Sequence, residues 1–346
     1  MAQSVILAAP LETVASPQLW AISIAVLIGL LVADFVVTRR PHDVPMREAV
    51  GWSIFYLTLP AVFGLVLWWA YGSRPAIEFY TGFVVEKSLS VDNLFVFMLL
   101  LGAFAVPSAL AQRVLLYGIA GALVLRGIFI AAGAAVLQAG TWAFLLFGGV
   151  LLLTAVKVMR DATKGQDHEV DIDGMRSVKL LRRFFPVTKE YHGSKMTVRQ
   201  AGRRALTPLA VVVFAVFMTD IVFAVDSVPA VYGVTEDPYL VFATNAFALM
   251  GLRALYFVLR NVLDKLRHLN YGLAVILAFI GVKLVLHWAH GVWPALPEVP
   301  TLASLGVIAL TLVTVTITSV LANRRDAAAA QETGEPVSVG HSSDQR

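Results

Sequence analysis

Two stretches of this chain carry residue types that bind hard cations. They are Glu86-Lys87-Ser88-Leu89-Ser90-Val91-Asp92-Asn93 and Asp220-Ile221-Val222-Phe223-Ala224-Val225-Asp226-Ser227. Each reads acid, five residues, acid, then a small amide or hydroxyl. Carboxylates backed by hydroxyl and amide oxygens suit Mn2+, Mg2+ or Ca2+ and disfavour soft ions held by sulfur. Both stretches sit inside apolar runs. A charge at mid-bilayer costs roughly 2.5–3.5 kcal/mol on insertion scales if it faces lipid. The simplest placement is the inside of a helix bundle, with Glu86, Asp92, Asp220 and Asp226 as metal ligands. Asp34, Asn93, Thr219, Ser227 and Asn245 are further oxygen donors for the ion or its gate. Lys87, Arg126, Lys157, Arg253 and Lys283 are the cations that balance the acids when the site is empty.

The spacing sets a geometric problem. Residues i and i+6 on a straight helix are about 120° apart and about 9 Å apart along the axis. The paired acids therefore serve two layers of a site, or the helices are broken there. Pro229 and the Ser88/Ser90 stretch permit local unwinding, and broken helix ends would add carbonyl ligands.

The elements that must position these residues follow from composition. Of 346 residues, 58% are hydrophobic and 14% charged, with mean hydropathy +0.76. Soluble domains average about 25% charged residues. Nine apolar runs of span length recur, near 19–38, 49–71, 79–105, 113–137, 141–158, 208–232, 239–259, 271–289 and 303–322. The fold expected is an all-α polytopic membrane protein. Period-two alternation, the mark of a membrane β-barrel, is absent. There is no cysteine, which excludes disulfides and thiolate metal sites. Residues 1–18 lack the basic segment of a signal peptide and read as an external tail, with the first span retained. Residues 19–322 form the membrane domain, 160–207 a hydrophilic loop, and 323–346 a disordered cytoplasmic tail.

Charge placement orients the chain. Of 27 Lys and Arg, 21 fall in segments on one side, eleven of them between Arg160 and Arg204; only Arg74 falls on the other side. The positive-inside rule then places the N-terminus outside and the loop and C-terminus in the cytoplasm. The basic loop is read as topogenic, so no nucleic-acid partner is expected. Asp34 either pairs with Arg39-Arg40 at the membrane face or joins the site. His287 and His290 share a helix face but lack a third ligand, and read as interfacial. Residues 167–174 resemble a calcium loop without its closing Glu and read as solvated.

The polar positions repeat. The runs over about 79–158 give Glu86, Asp92, Arg126 and Lys157, and those over about 208–289 give Asp220, Asp226, Arg253 and Lys283. Ala122-Leu-Val-Leu-Arg126-Gly127 parallels Leu249-Met-Gly-Leu-Arg253-Ala254. Each unit has three spans, so the two run in opposite senses. An inverted repeat with matched polar interruptions points to a transport site near the midplane.

These motifs resemble those of the TerC family of integral membrane proteins. Besides the two acid stretches, the resemblance is carried by Tyr191-His-Gly193, Asn245-Ala-Phe-Ala-Leu-Met-Gly-Leu-Arg-Ala-Leu-Tyr-Phe257 and Gly281-Val-Lys283, over roughly residues 20–290. It implies a multi-span protein of the cytoplasmic membrane, distantly related to LysE-type exporters, and a historical association with tellurium-ion resistance. It also implies efflux of manganese(II), with Glu86, Asp92, Asp220 and Asp226 at the ion site and Asp34 and Asn245 as weaker carry-overs. Many relatives have Glu where this chain has Phe217. The function expected is secondary export of divalent cations, Mn2+ foremost, by alternating access and in exchange for protons. No permanently bound cofactor and no enzymatic reaction are expected, and no nucleotide-binding loop is present. The alternatives are a membrane scaffold that supplies metal to secreted or membrane proteins, and a tellurium-resistance-associated protein without net transport.

The topology predicts a clean labelling result on this cysteine-free chain. A Cys placed at Ser177 should resist an impermeant thiol reagent outside intact cells and react in inverted vesicles. Labelling from outside reverses the topology.

Overall fold

Inside a bilayer no water is available to backbone N–H and C=O groups, so an apolar run of span length closes its hydrogen bonds within itself as a helix. The computed structural model describes residues 13–37, 46–163, 203–259 and 268–333, with 178, 181, 183, 185–188 and 190–200 of the loop between them. The side chains of Asp92, Phe95, Ser108, Gln200, Arg203, Leu259 and 326–333 lie outside the description, as do the calcium-like loop at 167–174 and Arg39-Arg40.

The described helices are α1 (Pro17–Val37), α2 (Met46–Tyr71), α3 (Ser73–Ala103), α4 (Ser108–Gln138) and α5 (Trp142–Thr163), then α6 (Pro208–Tyr232), α7 (Pro238–Met250), α8 (Leu252–Leu259), α9 (Leu269–Val292) and α10 (Thr301–Thr333). Among the described residues, eight segments are long and apolar enough to cross a membrane, with α7 and α8 counted as one. The ninth run, α3, has the length, at 31 residues, but carries Arg74, Glu78, Glu86, Lys87 and Asp92. The chain is an all-α polytopic membrane protein.

The loop ahead of α6 carries a short antiparallel hairpin, β1 (Thr197–Gln200) with β2 (Arg203–Leu206), in which Arg199 pairs with Arg204. The Tyr191 hydroxyl docks this segment on the end of α3 by donating to the Phe104 carbonyl at 2.8 Å. Thr207 caps α6, accepting from the Ala210 N–H.

Packing places α3 at the centre, against α2, α6, α7, α9 and α10. Helix α4 packs on α6 and α7, and α5 lies along α9. Helices α1 and α10 are peripheral: Ile22, Ile28, Val36, Leu302 and Leu310 are each more than half exposed, as lipid-facing residues are. Close approaches rest on glycine. A Cβ on Gly281 would lie 3.1 Å from the Gly148 carbonyl oxygen, and one on Gly148 would lie 2.9 Å from the Gly281 carbonyl oxygen. Small residues that let helix backbones meet are the main packing device inside membranes.

Of the two readings of the acid spacing, the broken-helix one does not hold. Helices α3 and α6 are continuous, and Pro229 is housed in the last turn of α6, where its missing N–H frees only one carbonyl. In the seventh run a single turn residue, Gly251, separates α7 from α8, with its backbone still in the right-handed helical region. The last helix does not stop near 322 but continues to Thr333, because the Arg325-Asp-Ala-Ala-Ala-Ala-Gln stretch is rich in strong helix formers.

The Gly148–Gly281 contact gives a stability prediction. Gly281→Ala forces backbone apart and should cost about 1–3 kcal/mol, the usual range for overpacking. Gly291→Ala, with no atom within 4 Å of its Cβ position, is the control. Thermal unfolding in detergent should show a lower midpoint for Gly281→Ala alone.

Candidate functional site

The buried polar centre is built around Arg126, which is 1% exposed on α4. Its guanidinium pairs with Glu86 of α3 and, at 3.4 Å, with Asp220 of α6. It donates to Asn245 Oδ1 of α7 at 2.7 Å. The Asn93 amide, oriented to satisfy both its groups, accepts from Arg126 Nη2 at 3.3 Å and donates to the Leu89 carbonyl at 3.1 Å. One side chain thus ties four helices together. Glycines on α4 allow it: Cβ atoms at Gly118 and Gly121 would lie 2.7 Å from Val216 and 2.8 Å from Phe217. Helices α4 and α6 therefore meet closely just below Arg126 and Asp220. Phe217 occupies the groove over Gly121.

The register of α3 against α6 shows which motif residues share a face. A Cβ on Gly82 would lie 3.3 Å from Val231, while the Phe97 and Phe223 rings are 6.3 Å apart. Asn93 and Asp220 share Arg126 between those levels. The two helices are therefore antiparallel. Four residues past Gly82 and four before Val231, Glu86 and Ser227 stand at one level, about 6 Å along the axis. Each motif uses its i and i+7 positions, which fall within about 20° of one another on a helix. Glu86 and Asn93 line one face of α3, and Asp220 and Ser227 one face of α6. Asp226, at i+6, lies off this face; it is half-buried, within electrostatic reach of Glu86 and Arg126. The Asp92 side chain lies outside the description.

Several oxygens at this centre have no partner. Glu86 Oε2, Asp220 Oδ2, Ser90 Oγ and Ser227 Oγ are buried and unbonded. Buried polar atoms are nearly always satisfied, so orphaned ones need an explanation. Among the described residues, no three His, Asp or Glu side chains stand close enough to hold a metal. In this conformation Arg126 supplies the positive charge that joins the acids.

A second charged pair lies apart from the first. Arg253 of α8 pairs with Asp34 of α1, both buried, and the Tyr56 hydroxyl of α2 bonds to both. Asp34 thus belongs inside the bundle, though not at the Arg126 centre. Arg253 does not stand behind Asp226 as its counterpart position suggests. Lys87 lies against the turn at Gly251: its ammonium donates to the Ala248 carbonyl at 3.2 Å and lies 3.1 Å from the Cβ position of Gly251. Carbonyls at a helix C-terminus carry partial negative charge and favour a cation.

Other candidates lie elsewhere. The Thr219 hydroxyl donates to its own helix, to the Ala215 carbonyl at 2.9 Å. Lys157 is exposed near the end of α5. Lys283 lines a cleft of about 1000 Å³ with Glu78, Glu236, Asp237, His287 and Glu298. There His287 bridges Glu236 at 3.4 Å and Glu298 at 3.2 Å, while His290 bonds the Leu296 carbonyl. The two histidines have separate partners and do not act as a pair. Neither Lys157 nor Lys283 contacts the Arg126 centre.

A helical bundle with acids, amides and an arginine sealed in its apolar interior defines a polytopic membrane protein with an intramembrane polar site. Residues 71–327 match the model of the integral membrane protein TerC family, and the chain belongs to that family. It is similar to an uncharacterized membrane protein of Myxococcus xanthus, 41% identical over 275 residues, covering 79% of this chain and 85% of the relative. It is also similar to the protein named membrane-bound redox modulator Alx of Escherichia coli K12, 38% identical over 310 residues, covering 86% of this chain and 92% of the relative. An uncharacterized membrane protein of Mycobacterium tuberculosis H37Rv is 41% identical over 277 residues, covering 80% of this chain and 70% of the relative. No solved structure matches the chain.

Arg126 yields a prediction. Removing one partner of a buried ion pair leaves an uncompensated charge and costs about 3–5 kcal/mol. Arg126→Met should therefore unfold in detergent far more readily than wild type. The triple change Glu86→Gln, Arg126→Met, Asp220→Asn should recover most of that loss. Recovery in a denaturation series shows that charge, not shape, holds the centre.

Proposed function

We propose that this protein exports divalent metal cations, Mn2+ foremost, across the cytoplasmic membrane by alternating access, in exchange for protons. The observation that carries the reading is the set of orphaned buried oxygens around Arg126, two carboxylate and two hydroxyl. That donor set matches the hard oxygen ligands of Mn2+ and Mg2+. Arg126 stands in for the ion in the empty state, and an entering cation takes over the acids it holds.

Helix packing supports the inverted repeat that alternating access uses. Exchanging α3 with α6, α4 with α7 and α5 with α9 maps the α3–α7 contact onto α4–α6, and α5–α6 onto α3–α9. The α5–α9, α3–α6 and α4–α7 contacts map onto themselves. The basic hairpin before α6 is cytoplasmic in this reading, and the His287 cleft opens outside.

The relatives named redox modulator suggest a second reading, an effect on cellular redox state. This chain has no cysteine, so a thiol exchange within it is excluded. A redox effect would act through the metal that the protein moves. A scaffold that hands metal to partners without transport is separated by flux in purified proteoliposomes.

Mn2+ flux into such proteoliposomes, with and without a pH gradient, tests the proposal. Wild type should carry Mn2+ faster against an opposing proton gradient. Asp220→Asn and Asp226→Asn should each reduce the flux by roughly tenfold or more, the ratio equal to about 1.4 kcal/mol. Asp34→Asn should act mainly on stability, because it strands Arg253. Normal flux in both motif variants refutes the ion-site reading.

A further inference from the structure

We propose that Ser90 is a ligand of the transported cation, and that Glu86, Ser90 and Asp220 form an all-oxygen site that admits hard divalent ions and rejects thiophilic ones. The inference rests on the cation-export reading above.

Hydroxyls buried on membrane helices ordinarily return their proton to the carbonyl four residues back. This chain follows that habit repeatedly. Thr81 bonds the Ile77 carbonyl at 2.7 Å, Ser88 the Val84 carbonyl at 2.6 Å, and Thr219 the Ala215 carbonyl at 2.9 Å. Ser90 and Ser227 do not. Ser90 is 0% exposed and Ser227 is 1% exposed, and neither hydroxyl has a partner. The Ser90 hydroxyl lies beside the Glu86 carboxylate without completing a hydrogen bond. Two serines two residues apart are thus treated differently: Ser88 is turned back to its helix and Ser90 into the centre.

Placement explains the difference. Ser90 follows Glu86 by four residues, about 6 Å along α3, so it lies between the level of Glu86 and that of Asn93. Ser227 faces the Glu86 level from α6, about 10 Å along the helix from Asp220, and so stands outside this set. The unpaired oxygens of Glu86 and Asp220 are those not committed to Arg126. An ion seated among Glu86, Ser90 and Asp220 would meet two anionic oxygens and one neutral one, and water could complete its shell. The second half offers no equivalent of Ser90, since the matching position is Ala224. The site is asymmetric, and Ser90 is its unmatched member.

A chain without cysteine makes a sulfur substitution uniquely readable. Purified wild type, Ser90→Ala, Ser90→Cys and Ser88→Cys would be compared in detergent. Mn2+ binding is followed by electron paramagnetic resonance, and Cd2+ binding by the ultraviolet thiolate-to-cadmium absorption. Wild type should bind Mn2+, and Ser90→Ala should bind it roughly tenfold more weakly. Ser90→Cys should prefer Cd2+ and show the thiolate band. Ser88→Cys should elute as a single species with unchanged Mn2+ affinity and no band. Unaltered Mn2+ affinity in Ser90→Ala, with no band in Ser90→Cys, overturns the assignment of Ser90 alone. Failure of wild type to bind Mn2+ overturns the export reading and this assignment with it.

Discussion

A guanidinium sealed in an apolar bundle between two carboxylates is the constraint on which this structure turns. Arg126 cannot shed its charge, and its N–H donors demand acceptors in fixed directions. Glu86, Asn93, Asp220 and Asn245 supply them to the two terminal nitrogens from three other helices, while the Nε–H is left without a partner. Desolvating such ions is costly, and a well-packed apolar core would be at least as stable. The arrangement is better explained by use than by stability. An arginine joining two acids keeps four helices in register, and in the export reading it is the partner that an entering cation replaces.

Backbone packing frames the centre. The helices that hold the acids, α3 and α6, are unbroken rods. Asn245, one of the four partners of Arg126, lies on α7, which runs on into α8 through Gly251 with its backbone in the right-handed helical region. Lys87 lies against that turn, and the Asp34–Arg253 pair stands just beyond it.

Much of this was legible in the residues themselves. Apolar runs and basic loops gave the helical class and the number of runs, because the bilayer leaves so few alternatives. Acids in the middle of those runs had to face inward, and Glu86, Asp220 and Asn245 meet at Arg126. Within the motifs the eye is drawn to the acid pair at i and i+6, whereas the aligned positions are i and i+7. Helix geometry alone could have favoured Asn93 and Ser227. Arg253 was misleading because the repeat made it equivalent to Arg126, while an acid outside the repeat, Asp34, is its partner. The contrast between Ser88 and Ser90 could not be read from sequence, since it depends on which hydroxyl the neighbouring helix leaves room to turn.

The central claim is that a divalent cation takes the place Arg126 holds between Glu86 and Asp220. A structure of the protein determined in Mn2+, with anomalous difference density recorded at the manganese edge, tests it most directly. The account predicts one strong peak between those two carboxylates, with the Arg126 guanidinium turned away from at least one of them. A manganese peak elsewhere, with Arg126 still bridging both acids, would contradict it.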